Sequence, residues 1–395
     1  MKPDDHPSKK RMKGQTEVKH DILEKYLEPW LSKITEVESE IHYIDGFAGW
    51  GKYEDGSIGS PLIAMNTTKE MIEQKHGLIT QKLKSFKCYF IENDEVNYSE
   101  LKNEVDRFQE DCPPQIEAFS YNMEFADFAE QYFRQGLSNP SPAFIFIDPF
   151  GFSGVPFEIV EKLVNLRTTG VEVFITFMSG KMAQYMENKE HEVAITEILG
   201  TNQWKELVPN DLSKNKRAER FVQIYENQLR NEAEVEYVWP FEMTEETKRQ
   251  NCYYLVHATN HFEGFKLMKD IMYNAGAEDQ FAYLGPDHYP YINEQEGLGA
   301  FGAGVDDEQK NVEGLADFLH EEYKGESITF YNLLKETYEE TTLIEKHYRD
   351  ACKHLQEQRR ATIDNVGKEN GGTIRGLNGK DMIEFKIGGL NQFLN

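Results

Sequence analysis

Two acids, each followed by a glycine-bearing loop, carry the chemistry legible in this sequence. In IHYIDGFAGWG, Ile41 to Gly51, an apolar run stops at Asp45 and gives way to Gly46, Gly49 and Gly51. Glycines so spaced let a backbone turn sharply and lie against a ligand more closely than a Cβ allows, although an ordinary tight turn has the same look. Further along, FIFIDPFG, Phe144 to Gly151, is a second apolar run that ends in Asp148-Pro149-Phe150. Two strands ending in an acid and a loop are what a ligand crevice at the carboxyl edge of a parallel sheet requires.

The order of residues in the first loop restricts the ligand. Dinucleotide sites place a pyrophosphate on a helix that starts within the glycine run. Here an acid precedes the first glycine and no helix follows the last, so a pyrophosphate would be repelled and a ligand with an ammonium group held. S-adenosylmethionine has an amino-acid end and no phosphate. On this reading Asp45, Gly46, Phe47, Gly49 and Gly51 meet its amino-acid end. Glu92, the acid after the second strand, accepts from both ribose hydroxyls. Asn93 and Asn122, after strands two and three, offer a donor and an acceptor to the adenine edge, unless they are ordinary loop residues.

Asp148, Pro149 and Phe150 then form the candidate catalytic set. Methyl transfer to an exocyclic amino group needs acceptors that fix the amino protons and aim the nitrogen lone pair. The Asp148 carboxylate and Pro149 carbonyl can do this, and Phe150 offers a face on which a base stacks. A base within a duplex would have to be flipped out first. A strand end with a structural turn is the alternative.

The elements that would position these residues alternate regularly. Residues 1–18 are polar and basic and read as a mobile tail. In KHDILEKYLEPWLSKI, Ile22, Leu23, Tyr26, Leu27, Trp30, Leu31 and Ile34 share one helical face, and Pro29 is expected to kink or divide the helix. Lys19-His20 at its start reads as a solvated helix end. Strands are expected at Ile41–Ile44, Lys87–Ile91, Ile116–Phe119, Ala143–Ile147 and Val171–Phe177, with helical patterns between them. Ser60 and Pro61 look like the cap and first residue of one of those helices. This alternation predicts a Rossmann-like, doubly wound parallel sheet over residues 19–300. A helical insertion is expected at about 179–251, and the sheet resumes at CYYLVHAT, Cys252–Thr259.

From residue 301 to 395 the pattern changes. Helical stretches at GLADFLHEEYKG, ITFYNLLKETYEE and TLIEKHYRDACKHLQEQR precede two short strands, ATIDNV and MIEFKI, around a Gly/Asn-rich turn. Three helices and a β-wing predict a winged helix-turn-helix domain, with a plain helical cap as the alternative. Lys346, Arg349, Lys353 and Arg360, at spacings of three, four and seven, would share a face of the last helix and meet a phosphate backbone. Lys368, Arg375 and Lys380 would add a basic wing. Glu345, Asp350 and Glu357 on the same helix make a salt-bridged surface the rival reading.

Composition bounds the rest. A net charge of −26 argues against a protein that coats nucleic acid non-specifically. The charge is uneven: Ile91–Glu130 holds twelve acids and two bases, whereas Glu345–Lys386 holds nine bases and seven acids. The four cysteines lie far apart with no CxxC pair or zinc-like His spacing, so reduced thiols and no metal are expected. The absence of a membrane-length apolar run or leader predicts a cytoplasmic protein with no membrane partner.

IDGFAGWG, FIEND and IDPFG, in this order, resemble the class I methyltransferase fold over roughly Lys19 to Ala275. HDILEKYL, YIDGFAGWGKYEDGSIGSPLIA, FIFIDPFGFSGVP and YYLVHATNH resemble the three-Cys-motif partner (TcmP) family, whose members often end in a winged helix. The resemblance implies an S-adenosylmethionine-dependent methyltransferase-like protein linked to a three-Cys-motif partner protein of radical-SAM type. It leaves two readings: a methyltransferase acting on an amino group of a nucleic-acid base, or a catalytically silent partner protein. Amino-methyltransferases of adenine or cytosine usually carry DPPY where this chain has DPFG. The DPFG form followed by Pro156 is similar to that of transfer-RNA guanine-N2 methyltransferases, which favours RNA over adenine in DNA.

Overall fold

A computed structural model describes residues 14–74, 81–134, 141–151, 155–166, 170–244, 251–276, 281–283, 305–364 and 376–387. The chain divides into two compact units, Met1–Pro286 and Asp287–Asn395.

The first unit is built on strands β1 (Glu40–Asp45), β2 (Ser85–Ile91), β3 (Ile116–Tyr121), β4 (Ala143–Ile147) and β5 (Val171–Phe177), followed by β6 (Tyr237–Thr244), β7 (Asn251–Thr259) and β8 (Ala282–Tyr283). They form one sheet in the order β3-β2-β1-β4-β5-β7-β6-β8. The first five pair in parallel, and β7 runs antiparallel to both β5 and β6. This is the Rossmann-like, doubly wound sheet of the class I methyltransferase fold. Every residue of β4 and β5 is buried, as an apolar run covered on both faces must be, whereas the outer strand β3 is half exposed. Because β1 lies between β2 and β4, the carboxyl ends of these three strands open side by side.

Helix α1 (Gly14–Ile34) precedes the sheet, and α2 (Ser60–Glu73), α3 (Glu95–Gln109), α4 (Phe125–Arg134) and α5 (Phe157–Val164) connect its parallel strands. The tail expected over residues 1–18 is already helical from Gly14, and residues 1–13 lie outside the described set. Pro29 does not divide α1. The ring removes a hydrogen bond to the carbonyl of Lys25, a residue on the exposed side of the helix. Gly59, not Ser60, is the cap of α2, and Ser60 points elsewhere.

Between β5 and β6 lie α6 (Ser179–Tyr185), a 3-10 turn at Lys189–His191, α7 (Glu192–Leu199), α8 (Trp204–Leu207) and α9 (Lys214–Asn231). The helical insertion therefore ends before β6, a strand in the stretch expected to be helical up to 251. Its residues YVWPFEMT are apolar enough for either periodicity, and pairing with β7 decides. Tyr225 of α9 stacks on Phe177 of β5 at 4.5 Å between ring centres, tying the insertion to the sheet. Helix α10 (Phe262–Ala275) follows β7 and packs on α1.

The second unit contains α11 (Val305–Glu322), β9 (Ser327–Thr329), α12 (Phe330–Thr337), α13 (Glu345–Glu357), β10 (Ala361–Asp364) and β11 (Met382–Phe385). The strands form an antiparallel sheet ordered β10-β11-β9, and Leu319, Phe330, Leu333, Tyr348, Leu355, Ile383 and Phe385 are buried. This is a winged helix-turn-helix. Ile328 and Thr329, read above as the start of a helix, form the third strand, and the Thr329 hydroxyl caps α12 by accepting from Asn332 N at 3.2 Å. Lys368 and Arg375 lie outside the described residues, as do residues 284–304. Among the described residues, no helix is long and apolar enough to cross a membrane.

Candidate active site

The three acids come together at the carboxyl edge of adjacent strands: Asp45 ends β1, Glu92 follows β2 and Asp148 follows β4. Backbone bonds fix the loops there. Gly46 N donates to Phe146 O at 2.9 Å, joining β1 to β4, and Ala48 N donates to Ile91 O at 2.9 Å, joining the loop to β2.

Asp45 is fully buried. Its Oδ1 accepts from Phe47 N at 3.2 Å, while its Oδ2 has no hydrogen-bond partner. Burial pushes the carboxyl up to about 7 against the pull of the Ser60 hydroxyl and the Phe47 N–H, and Asp148 raises it further. The hydroxyl read as a helix cap thus serves Asp45 instead.

Glu92 is 3% exposed and holds the glycine loop. Its Oε2 accepts from Gly49 N at 2.9 Å and its Oε1 from Asp94 N at 2.8 Å. Burial raises its pKa against those two backbone bonds. The Asn97 side chain also bonds it, and a carboxylate has about four lone-pair sites, so acceptor capacity remains for a hydroxyl. Gly49 has φ +62°, which a side chain would strain, and it thereby brings its N–H to Glu92. Gly46 answers to packing: a Cβ there would stand 2.8 Å from the Phe125 ring. Gly51, with φ +80°, accepts from Gly59 N at 2.8 Å and closes the loop onto the start of α2.

Gly46, Phe47, Glu92, Asn93, Met123, Glu124, Phe125 and Phe150 line one cleft. Phe47 packs on Phe125 with ring centres 5.9 Å apart. The amide of Asn122 donates to Glu92 O at 2.9 Å and Asn93 O at 3.1 Å, and that of Asn93 to Glu124 Oε1 at 2.8 Å. Both asparagines therefore brace the loops around the cleft and keep their amide oxygens for other partners.

Asp148 is half-buried, Pro149 is buried and the Phe150 ring is 38% exposed beside the cleft. Lys181 of α6 donates to Phe150 O at 2.9 Å. The partner of Asp148 was not legible in the sequence: the ammonium of Lys19, on α1, bonds its Oδ2. Lys19 and His20, read above as a solvated helix end, are both buried. They lie on the helix face that buries Ile22, Leu23, Tyr26 and Leu27, and only the packing of α1 on the sheet brings them to the strand ends. Burial, with Lys19 beside it, lowers the His20 pKa to about 3, so the imidazole is neutral. Among the described residues, no group of three or more His, Cys, Asp or Glu side chains could hold a metal ion.

In the second unit the basic residues of α13 face acids. Arg349 bonds Glu345 and lies 5.0 Å over the Phe330 ring, and Lys353 meets Asp350 at 3.0 Å. Arg360 does not share the helix face with them. The helix ends at Glu357, the chain turns through Arg359 at φ +61°, and Arg360 meets Asp317 of α11 at 2.5 Å. Lys346 is exposed on α13, as is Lys380 before β11.

Residues 295–366 match the family model described as the GMT-like wHTH domain. No curated protein matches the chain. Among solved structures, the chain is similar to a protein of the DUF519 family from Legionella pneumophila, at 12% identity over 67% of this chain and 93% of that one, with a TM-score of 0.38. It is also similar to Trm1 from Pyrococcus horikoshii in complex with S-adenosyl-L-methionine, at 12% identity over 64% and 56% of the two chains and a TM-score of 0.34. An O-methyltransferase from Bacillus cereus in complex with SAH gives 13% identity over 60% and 80%, with a TM-score of 0.29.

Proposed function

We propose that this protein is an S-adenosylmethionine-dependent methyltransferase acting on an exocyclic amino group of a nucleic-acid base. One observation carries the reading: Asp45, Glu92 and Asp148 converge at the carboxyl ends of three adjacent parallel strands around a glycine loop. A scaffold has no physical need of three acids there, because burying a carboxylate costs stability unless it is paired.

The residues fit the cofactor by their donor and acceptor pattern. The unpartnered Oδ2 of Asp45 suits an ammonium, the remaining acceptor capacity of Glu92 suits a ribose hydroxyl, and Phe47 and Phe125 give the cleft an apolar wall. When bound, the cofactor supplies an electrophilic methyl group on sulfur. Asp148 keeps its Oδ1 and Pro149 its carbonyl to accept the protons of an amino group and fix the direction of its lone pair. Phe150 gives an exposed ring on which the base stacks. The winged helix, with Lys346, Arg349 and Lys353 on α13, would present RNA or DNA.

Tritiated-methyl incorporation into total RNA, DNA and protein extracts tests this reading. Label in nucleic acid is expected with the wild type and is lost with Asp148→Ala. Equal counts with both proteins would reject the role of Asp148.

One observation favours a second reading, a catalytically silent partner of a three-Cys-motif protein. The carboxylate that should receive the acceptor is already bonded to Lys19. No label in any extract, together with a stable complex with a three-Cys-motif protein in sedimentation, would decide for it.

A further inference from the structure

The corner between α1, β1 and β4 holds both signs of charge and more polar atoms than it satisfies. The Lys19 side chain is 6% exposed, and its described contacts are Asp148 Oδ2 and, at 6.0 Å, the face of Phe146. An ammonium has three N–H donors, so two remain directed into a place with little water. Asp45 Oδ2, His20 Nδ1 and the Tyr43 hydroxyl are buried there without hydrogen-bond partners. The groups act on one another: Lys19 on Asp45 and His20, and Asp148 on Asp45, His20 and Tyr43. His20 is neutral, which leaves the positive charge of the corner to Lys19.

Buried donors and a buried carboxylate oxygen left unpaired are expensive, and here they belong to residues that act on one another beside the Lys19–Asp148 bond. A ligand that satisfied them would carry an anion and a cation on neighbouring atoms, which is the chemistry of an α-amino acid. We propose that Lys19 receives the α-carboxylate of the cofactor while Asp45 receives its α-ammonium, with Lys19 remaining bonded to Asp148. This rests on the reading of S-adenosylmethionine as cofactor and deepens it. Lys19 is then a binding residue for the cofactor and a positioning residue for Asp148, and it links the two halves of the site.

The test is titration calorimetry on the full chain with S-adenosylmethionine, its decarboxylated form and methylthioadenosine. Wild type is expected to bind S-adenosylmethionine about 10- to 100-fold more tightly than the decarboxylated form, the range of one charge-assisted hydrogen bond. Lys19→Met should bring the two to within about 3-fold, and Lys19→Arg should restore most of the preference. A structural role for Lys19 alone would weaken all three ligands alike and leave the ratio unchanged. Lys19→Gln, with a thermal unfolding curve, serves should the methionine variant not fold. A ratio that persists in Lys19→Met and Lys19→Gln overturns the proposal and spares the cofactor reading. Equal wild-type affinity for the two forms rules out a carboxylate subsite. No wild-type binding of any of the three overturns the cofactor reading, and the proposal with it.

Discussion

Two buried carboxylates of the first unit, one near each edge of the sheet, differ in how they are satisfied. Glu172, near the start of β5, accepts from Trp30 Nε1 at 3.1 Å and from the Tyr26 hydroxyl, and His257 Nε2 lies 2.9 Å away. Its surroundings are closed: a Cβ at Gly264 would stand 2.7 Å from Oε1. Asp45, at the other edge, is bonded by the Phe47 N–H and the Ser60 hydroxyl and keeps Oδ2 without a partner. Similar burial with unequal satisfaction separates a carboxylate that holds the fold together from one that the proposed function assigns to a ligand. The former fastens α1 to the sheet, and the latter lies where Lys19 of the same helix reaches Asp148.

The contrast breaks if the two acids respond alike to removal. Glu172→Leu leaves the Trp30 N–H, the Tyr26 hydroxyl and His257 without their acceptor, and should destabilise the protein by about 3–5 kcal/mol in urea unfolding. Asp45→Asn should do the reverse. The folded carboxyl titrates near 7 and an unfolded aspartate at about 3.9, so between those values the folded protein keeps a proton that the unfolded chain has lost. Wild-type stability should therefore fall as pH rises through that window. Asp45→Asn should be more stable than wild type at pH 8 by on the order of 2–4 kcal/mol, with the gain fading toward pH 4. It should also lose cofactor affinity. A destabilised Asp45→Asn at pH 8 would place Asp45 with Glu172 as a structural acid.

Smaller effects sharpen the picture of the ligand edge. Glu92→Ala should weaken binding of S-adenosylhomocysteine by about 1.5–3 kcal/mol in calorimetry, since charged hydrogen bonds are lost and the Gly49 N–H is released. An arriving ammonium favours ionised Asp45, so affinity should rise with pH up to about 7. Near neutrality binding should release ~0.5 proton, measured as a dependence of the binding heat on buffer ionisation enthalpy. A proton uptake, or no exchange, would contradict Asp45 as the ammonium site. The smallest effect is expected on α13. Arg349→Ala with Lys353→Ala should change stability by about 1 kcal/mol, because the Lys353 pair is exposed and the Arg349 pair is only partly buried. The proposed nucleic-acid role predicts that the same pair lowers the salt slope of binding by about one per phosphate contact.

By itself the sequence determined the alternation of strands and helices, the placing of Asp45, Glu92 and Asp148 at strand ends, and the winged-helix pattern. Each follows from local rules: apolar periodicity fixes the element, and a polar residue ending an apolar run fixes the edge. The strand bounds Ala143–Ile147 and Val171–Phe177 were legible to the residue. What tertiary structure decided is which side chains meet. Lys19 reaches Asp148 across 129 positions of sequence, and Glu172 meets Tyr26 and Trp30 of α1 and His257 of β7. Arg360 leaves its expected face because the helix stops short of it, and Gly46 is small because of Phe125. A buried polar group takes the partner that packing brings within reach, and no local spacing encodes that choice. The sequence therefore showed where the crevice lies, and only the fold showed which of its charges are satisfied.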